Sequence, residues 1–217
     1  MTLIKNTGRI TTSNMNRIAQ IQTLDKKVFT AQDLAVLWGY SDELKLFELI
    51  KYYLKTKQIF TLTRGLYSSL NYSVEDLRGN ANLLYEIANR LVPNSYISLW
   101  TALKREGVIF QYYNEIYSVA ERGVVRQVKG INFVYKKIKD SVLMNDLGIV
   151  KVGQSRVAGV ERAIGDTIYL FPSVKLEHTS LAKKKLLDKV VRMYDKKVVR
   201  AKVGQLWEES NAKHSET

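Results

Sequence analysis

Cysteine is absent from this chain of 217 residues. That excludes disulfides, thiolate zinc sites, iron–sulfur clusters and cysteine nucleophiles. Histidine occurs twice, at His178 and His214, too far apart for metal-ligand spacing. No apolar run reaches the roughly 18 residues of a membrane-spanning helix. Residues 1–10 lack the apolar core of a signal peptide. Neither GxxxxGK[ST] nor GxGxxG is present, so the usual glycine-rich phosphate cradles are missing. There is also no glycine–serine pair followed by paired acids, as nucleotidyltransferases carry. Glu177 beside His178 makes no site. Glu161 and Asp166 are five positions apart, about 140° around a helix at roughly 100° per residue. A catalytic carboxylate pair is therefore not expected, and Glu161–Arg162 reads as a local ion pair or a buried orienting contact. These absences lead to the expectation of a cytoplasmic protein that is not an enzyme and carries no metal and no cofactor.

What remains is an ordinary globular mix, 46% hydrophobic and 25% charged. The length suits one large domain or two small ones. The charge is one-sided: 34 Lys and Arg against 21 Asp and Glu, net +13. Such a surface attracts a polyanion: DNA, RNA or an acidic membrane face. The excess is net +5 over residues 1–70, +3 over 71–145 and +5 over 146–217. Within residues 180–202 nine basic groups face two acidic ones.

The first segment has helix-turn-helix spacing. Ile10, Ile18 and Ile21 suggest a first helix over 9–24. Thr30 can cap a second helix, with Asp33 reaching back to close a capping box. Leu34 and Leu37 give it an apolar face, and Gly39 and Tyr40 end it. Ser41 can cap the next helix, expected over 42–56. Phe47, Ile50 and Leu54 are its expected core stripe, widened by Leu46 and Tyr53. The opposite face then shows Lys45, Glu48, Lys51, Tyr52 and Lys55. Residues 59–62 and 66–68 read as strands around the turn Thr63-Arg64-Gly65. A hairpin directly after the second helix of such a pair is a wing, with Arg64 at its tip. The expected contacts follow from groove chemistry. The lysines neutralise phosphate or reach guanine, Tyr52 meets phosphate or a thymine methyl, Glu48 accepts from cytosine, and Arg64 enters a minor groove or grips phosphate. The competing reading is a solvated helix face on a structural unit.

Residues 69–76 are polar and break the pattern. The expected organisation is therefore α+β: a winged helix-turn-helix domain over 1–69 and a larger mixed α/β domain over 77–217. In the second region a helix is expected over 80–91, ended by Pro93, with Leu84, Ile87, Ala88 and Leu91 on one side. Ser95 can cap a further helix bearing Trp100 and Leu103, stopped by Gly107. Residues 108–112 and 116–119 read as a hairpin around Asn114. Gly123 and Gly130 punctuate later strands, among which Ile131, Phe133 and Tyr135 alternate with polar positions. A strand at 149–152 and a helix over 160–171 follow. Leu187, Val190, Val191 and Tyr194 form one final apolar stripe, and Val199, Val203 and Leu206 another. Lys185, Lys189, Arg192 and Lys196 fall on one expected helix face, thickened by Lys183 and Lys184. That basic stripe serves solubility or contacts a nucleic acid or acidic partner. Its apolar side lacks the bulky anchors of a membrane-surface helix. Residues 210–217 are small and polar and are expected to fray.

Three runs of sequence together resemble the AbiEi antitoxin family of bacterial abortive-infection systems. One is the hairpin Thr63-Arg64-Gly65-Leu66-Tyr67-Ser68. Another is Pro93-Asn94-Ser95-Tyr96-Ile97-Ser98-Leu99-Trp100-Thr101-Ala102-Leu103 with Gly107-Val108-Ile109. The last is Val157-Ala158-Gly159-Val160-Glu161-Arg162-Ala163-Ile164-Gly165-Asp166. They occur in the family's order across most of the chain. Val160 stands where that family usually has proline, and Gly165 where it commonly has an apolar residue. The resemblance implies an autorepressor that binds inverted repeats in its own promoter through the winged helix. It also implies a type IV antitoxin against a nucleotidyltransferase-like toxin encoded next door, acting without necessarily forming a stable complex. Carried over, Lys45, Lys51, Tyr52, Lys55 and Arg64 match the recognition helix and wing, and residues 183–202 match the basic C-terminal surface. The final helices lack sustained heptads, so the expected state is a monomer in solution that binds DNA cooperatively. The alternatives are a stand-alone winged-helix regulator without a toxin and an RNA- or tRNA-binding protein.

Overall fold

The structure, a computed structural model, describes residues 17–22, 26–111, 113–176 and 178–215, with side chains of the last helix up to Ser210. The chain is α+β and divides into two compact units, Met1–Asp76 and Leu77–Thr217. Among the described residues no helix is long and apolar enough to cross a membrane.

In the first unit, helix α1 is described over residues 17–22; the rest of the helix expected over 9–24 lies outside the described residues. Strand β1 (Val28–Thr30) runs into helix α2 (Ala31–Trp38). Thr30 caps α2 as a full capping box: its Oγ1 accepts the Asp33 amide at 3.1 Å, and Asp33 accepts the Thr30 amide at 2.8 Å. Such a cap is worth about 1 kcal/mol. After a turn over residues 39–42, helix α3 (Glu43–Lys55) begins. Its cap is Asp42, not Ser41: the Asp42 carboxylate accepts the amides of Leu44 and Lys45. The backbone N–H of Lys45, foremost, holds that carboxyl below its ordinary range. Strands β2 (Phe60–Thr63) and β3 (Leu66–Ser68) pair antiparallel, and β1 joins the other edge of β3, giving the order β1-β3-β2. The two-residue turn between β2 and β3 needs Gly65, whose φ of +78° suits glycine.

The buried stripe of α3 is rotated from the sequence expectation. Leu46, Ile50 and Tyr53 are buried, while Phe47 is 44% exposed. Apolar residues occur nearly all round this helix, so two stripes compete. The tertiary core resolves the choice by seating Tyr53 against Trp38, ring centroids 5.4 Å apart.

In the second unit a six-stranded mixed sheet has the order β6-β7-β5-β4-β9-β8. The strands are β4 (Tyr96–Ile97), β5 (Ile116–Ala120), β6 (Val124–Val128), β7 (Ile131–Lys137), β8 (Ile149–Val152) and β9 (Ser155–Ala158). Helices α4 (Val74–Arg78), α5 (Ala81–Leu91), α6 (Leu99–Arg105), α7 (Asp140–Leu143), α8 (Val160–Leu170), α9 (Lys184–Arg192) and α10 (Lys197–Ser215) complete the order, with a 3-10 turn at Thr179–Leu181. The register sorts the faces. Ile97 pairs with Ser118 and Val157, and Ser118 with Tyr135. On that side Tyr135 donates from its hydroxyl to the Ala88 carbonyl of α5 at 2.6 Å. Tyr96, one residue earlier, points to the other face. There it joins a core built with α6, α8, α9 and α10.

Several expectations are corrected. The hairpin expected around Asn114 does not form: residues 108–111 are not a strand, and β5 pairs instead with β4 and β7. Ser95 caps nothing, because Tyr96 and Ile97 form β4 and α6 starts after Ser98. Strand β9 was not expected. Ser210 does not fray; it is 5% exposed on α10, and its hydroxyl accepts the Ser180 amide at 3.2 Å.

Candidate nucleic-acid interface and the buried polar centre

Taken at roughly 100° per residue, the exposed positions of α3 beyond its first residue, Glu43, span one broad arc. Phe47, Lys51, Leu44, Lys55, Glu48, Tyr52 and Lys45 follow each other around it, and all are exposed. Arg64 is exposed in the turn between β2 and β3. All six residues expected from sequence therefore face solvent, five on one helix and the sixth on the hairpin. Lys45 is tied to its own helix cap, its Nζ lying 3.3 Å from Asp42. An exposed pair of this kind is worth little. Leu44 and Phe47, 80% and 44% exposed, belong to the same face and were not expected there. The signal that could have found them is the alternative i, i+4, i+7 stripe of Leu46, Ile50 and Tyr53.

The C-terminal basic group lies in the second unit. Lys185, Lys189 and Arg192 are exposed on α9. Lys183 is the N-cap residue, and Lys184 is half-buried, 3.3 Å from Asp188 and 4.8 Å from the Trp207 ring. Lys196 does not share their helix face. The chain turns at residues 193–196, and its Nζ sits 4.2 Å from the centre of the Tyr169 ring. Asp195 with φ +50° lies in that turn, a break the lysine spacing conceals.

The same unit holds ionisable groups with no exposure at all. Arg162 and Asp166, one turn apart on α8, approach to 3.3 Å. Asp166 accepts hydroxyl hydrogen bonds from Ser98 at 2.7 Å, Tyr194 at 2.7 Å and Tyr96 at 2.9 Å. A guanidinium has five N–H donors, and here each is placed. Nε and Nη2 reach the Tyr96 hydroxyl at 2.9 and 2.7 Å. Nη2 also reaches the Val142 carbonyl at 2.6 Å, and Nη1 those of Asn145 and Leu147, each at 2.9 Å. Burial pushes the Asp166 carboxyl above its ordinary range, while Arg162 and the hydroxyls of Ser98, Tyr194 and Tyr96 pull it back. Burial also raises the Tyr96 and Tyr194 phenols well above their ordinary value. With every guanidinium donor used and neither ionic side chain exposed, this centre ties α8 to β4, to the turn after α9, and to α7 with the loop that follows it.

Glu161 does not pair with Arg162. Its Oε1 accepts the Lys183 amide at 2.8 Å and so ties the start of α9 to α8. Gly165 is a close-approach position: a Cβ there would lie 2.7 Å from the Tyr194 ring and hydroxyl. That contact gives a physical reason for glycine at this point of α8. His178 packs edge-on against Phe110, centroids 5.2 Å apart. Glu177 and the His214 side chain lie outside the described residues. Among the described residues no group of three or more His, Asp or Glu side chains forms a candidate metal site.

No protein-family model matches the chain, and a comparison with curated proteins finds no match either.

Proposed function

We propose that the first unit is a winged helix that binds double-stranded DNA, with α3 in the major groove and the β2–β3 turn as its wing. The observation that carries this reading is the joint exposure of Lys45, Glu48, Lys51, Tyr52, Lys55 and Arg64 after a capped helix and a short turn. Leu44 and Phe47 add apolar surface able to meet thymine methyl groups. The protein acts as a repressor of its own promoter, recognising inverted repeats there. It also acts as the antitoxin of a neighbouring nucleotidyltransferase-like toxin. For that second half, support comes from the sequence runs that resemble AbiEi antitoxins. Tyr96 and Ser98 of one run meet Arg162 and Asp166 of another in a single buried network. A gel shift with the chain's own upstream DNA against an unrelated duplex of equal length, at about 0.15 M salt, tests the repressor. Sequence-specific shifts in two steps are expected; equal weak binding to both duplexes overturns it. Co-expression with the neighbouring toxin tests the antitoxin, and failure to rescue growth overturns that half.

A second reading, a winged-helix regulator without a toxin whose second unit takes a ligand, is favoured by an open cleft beside Trp100.

A further inference from the structure

The second unit carries a cleft of about 360 Å³ whose walls combine aromatic rings with cations. Its volume falls at the small end of the roughly 300–1,000 Å³ typical of small-molecule sites. Trp100 and Tyr113 form one wall, their rings within 16° of parallel and 5.6 Å apart. Each has a further aromatic neighbour: Phe171 lies 5.6 Å from Trp100, and Tyr117 lies 6.0 Å from Tyr113. Both rings are half-buried against the main core of the unit, and the pair also borders an adjoining cleft of about 380 Å³ beside Ile109 and Val174. Leu84, Ile116 and Ile131 line the cleft with apolar surface. Arg78 and Lys104 are exposed on its lining. Arg105, ion-paired with Glu106, lines it as well. The polar lining also includes Thr101, Asn114 and one carboxylate, Glu115.

We propose that this cleft binds a nucleoside polyphosphate, with its base against the Trp100–Tyr113 wall and its phosphates at Arg78 and Lys104. An apolar wall alone would take any flat apolar molecule, and cations alone any anion. Both in one cleft of this volume select a ligand with a flat ring at one end and negative charge at the other. Aromatic rings take a base face without demanding its sequence identity, and Arg and Lys are the standard phosphate partners. Glu115 supplies an acceptor for an exocyclic amine or a ribose hydroxyl. The inference concerns the second unit alone and does not depend on DNA binding by the first.

The test is calorimetric titration of the full chain with ATP, GTP, adenosine and inorganic pyrophosphate, followed by the double variant Arg78→Ala/Lys104→Ala. Both positions are exposed, so circular dichroism should show the variant folded like the parent. Saturable binding of ATP or GTP below about 1 mM is expected, with adenosine and pyrophosphate each at least about tenfold weaker. The double variant should weaken nucleotide binding by about tenfold or more and leave adenosine unchanged. Any of four results overturns the proposal: no saturable nucleotide binding, pyrophosphate binding as tightly as ATP, nucleotide affinity unchanged in the double variant, or an RNA oligonucleotide competing for the cleft where mononucleotides do not.

Discussion

Lys51, Tyr52, Lys55 and Arg64 in the first unit are all exposed, whereas Arg162 and Asp166 in the second have no exposure whatever. In the first unit polar chemistry decorates elements that stand by backbone pairing and a small apolar core around Ile50, Tyr53 and Trp38. In the second it is part of the core. A buried ion pair returns its desolvation cost only if the remaining donors and acceptors are satisfied. The Arg162 guanidinium meets that condition through Tyr96, Asp166 and the carbonyls of Val142, Asn145 and Leu147. The comparison teaches how to read charge in this chain: Lys51, Lys55 and Arg64 of the first unit stand at the surface, and the fully buried pair in the second is committed to architecture.

The sharpest way to break this contrast is Asp166→Ala. It leaves Arg162 buried and unpaired, and should cost about 3–5 kcal/mol in urea unfolding of the second unit. The first unit's own transition should stay put, and a single shared shift would show that the units do not unfold separately. Gly165→Ala comes next. Its methyl group must displace Tyr194, so a loss of about 1–3 kcal/mol is expected by the same measurement.

Exposed positions should behave in the opposite way. Lys51→Ala and Arg64→Ala should change stability by no more than about 0.5 kcal/mol. In fluorescence-anisotropy titrations with operator DNA, each should lose about 1–3 kcal/mol if it reads a base, or flatten the salt slope by about one if it grips phosphate. A large stability loss with unchanged binding would erase the distinction between the units. Thr30→Ala removes the capping-box acceptor, and should lower the melting stability of the first unit by about 1 kcal/mol.

Alkaline titration sharpens the comparison last. Burial, the largest cause, raises the Tyr96, Tyr135 and Tyr194 phenols. An acid whose folded pKa is raised contributes stability below its unfolded value and loses it as pH climbs through the folded one. The second unit should therefore weaken as pH rises above about 10. The share of the phenolate absorbance that Tyr96, Tyr135 and Tyr194 contribute should appear together with unfolding and not before it.

Much of this was legible in the chain. The Thr30–Asp33 box, the extent of α3 to within a residue at each end, β3 at 66–68 and β8 at 149–152 rest on local chemistry within a few positions. The alternation of Ile131, Phe133 and Tyr135 likewise appears as buried positions on β7. Failures occurred where local signals were degenerate. Phe47 and Leu46 fit competing stripes of one helix. Lys196 continues the spacing of Lys185, Lys189 and Arg192, although the helix has already ended. Residues 108–111 have strand-like composition but lack a pairing partner. The cleft was equally hidden: Trp100 reads as a core residue on α6, and only folding sets Tyr113 beside it and Arg78 on the same lining.

The sequence by itself determined the charge, the Thr30–Asp33 capping box, the turn glycines and the periodicity of most elements, because those depend on residues about four positions apart or fewer. The tertiary structure alone decided which polar groups meet. Ser98 and Asp166 are 68 positions apart, and Tyr96 and Arg162 are 66. Nothing local announces such pairs. They are selected because an ionic group driven into a core must find all its partners there or make the fold unfavourable.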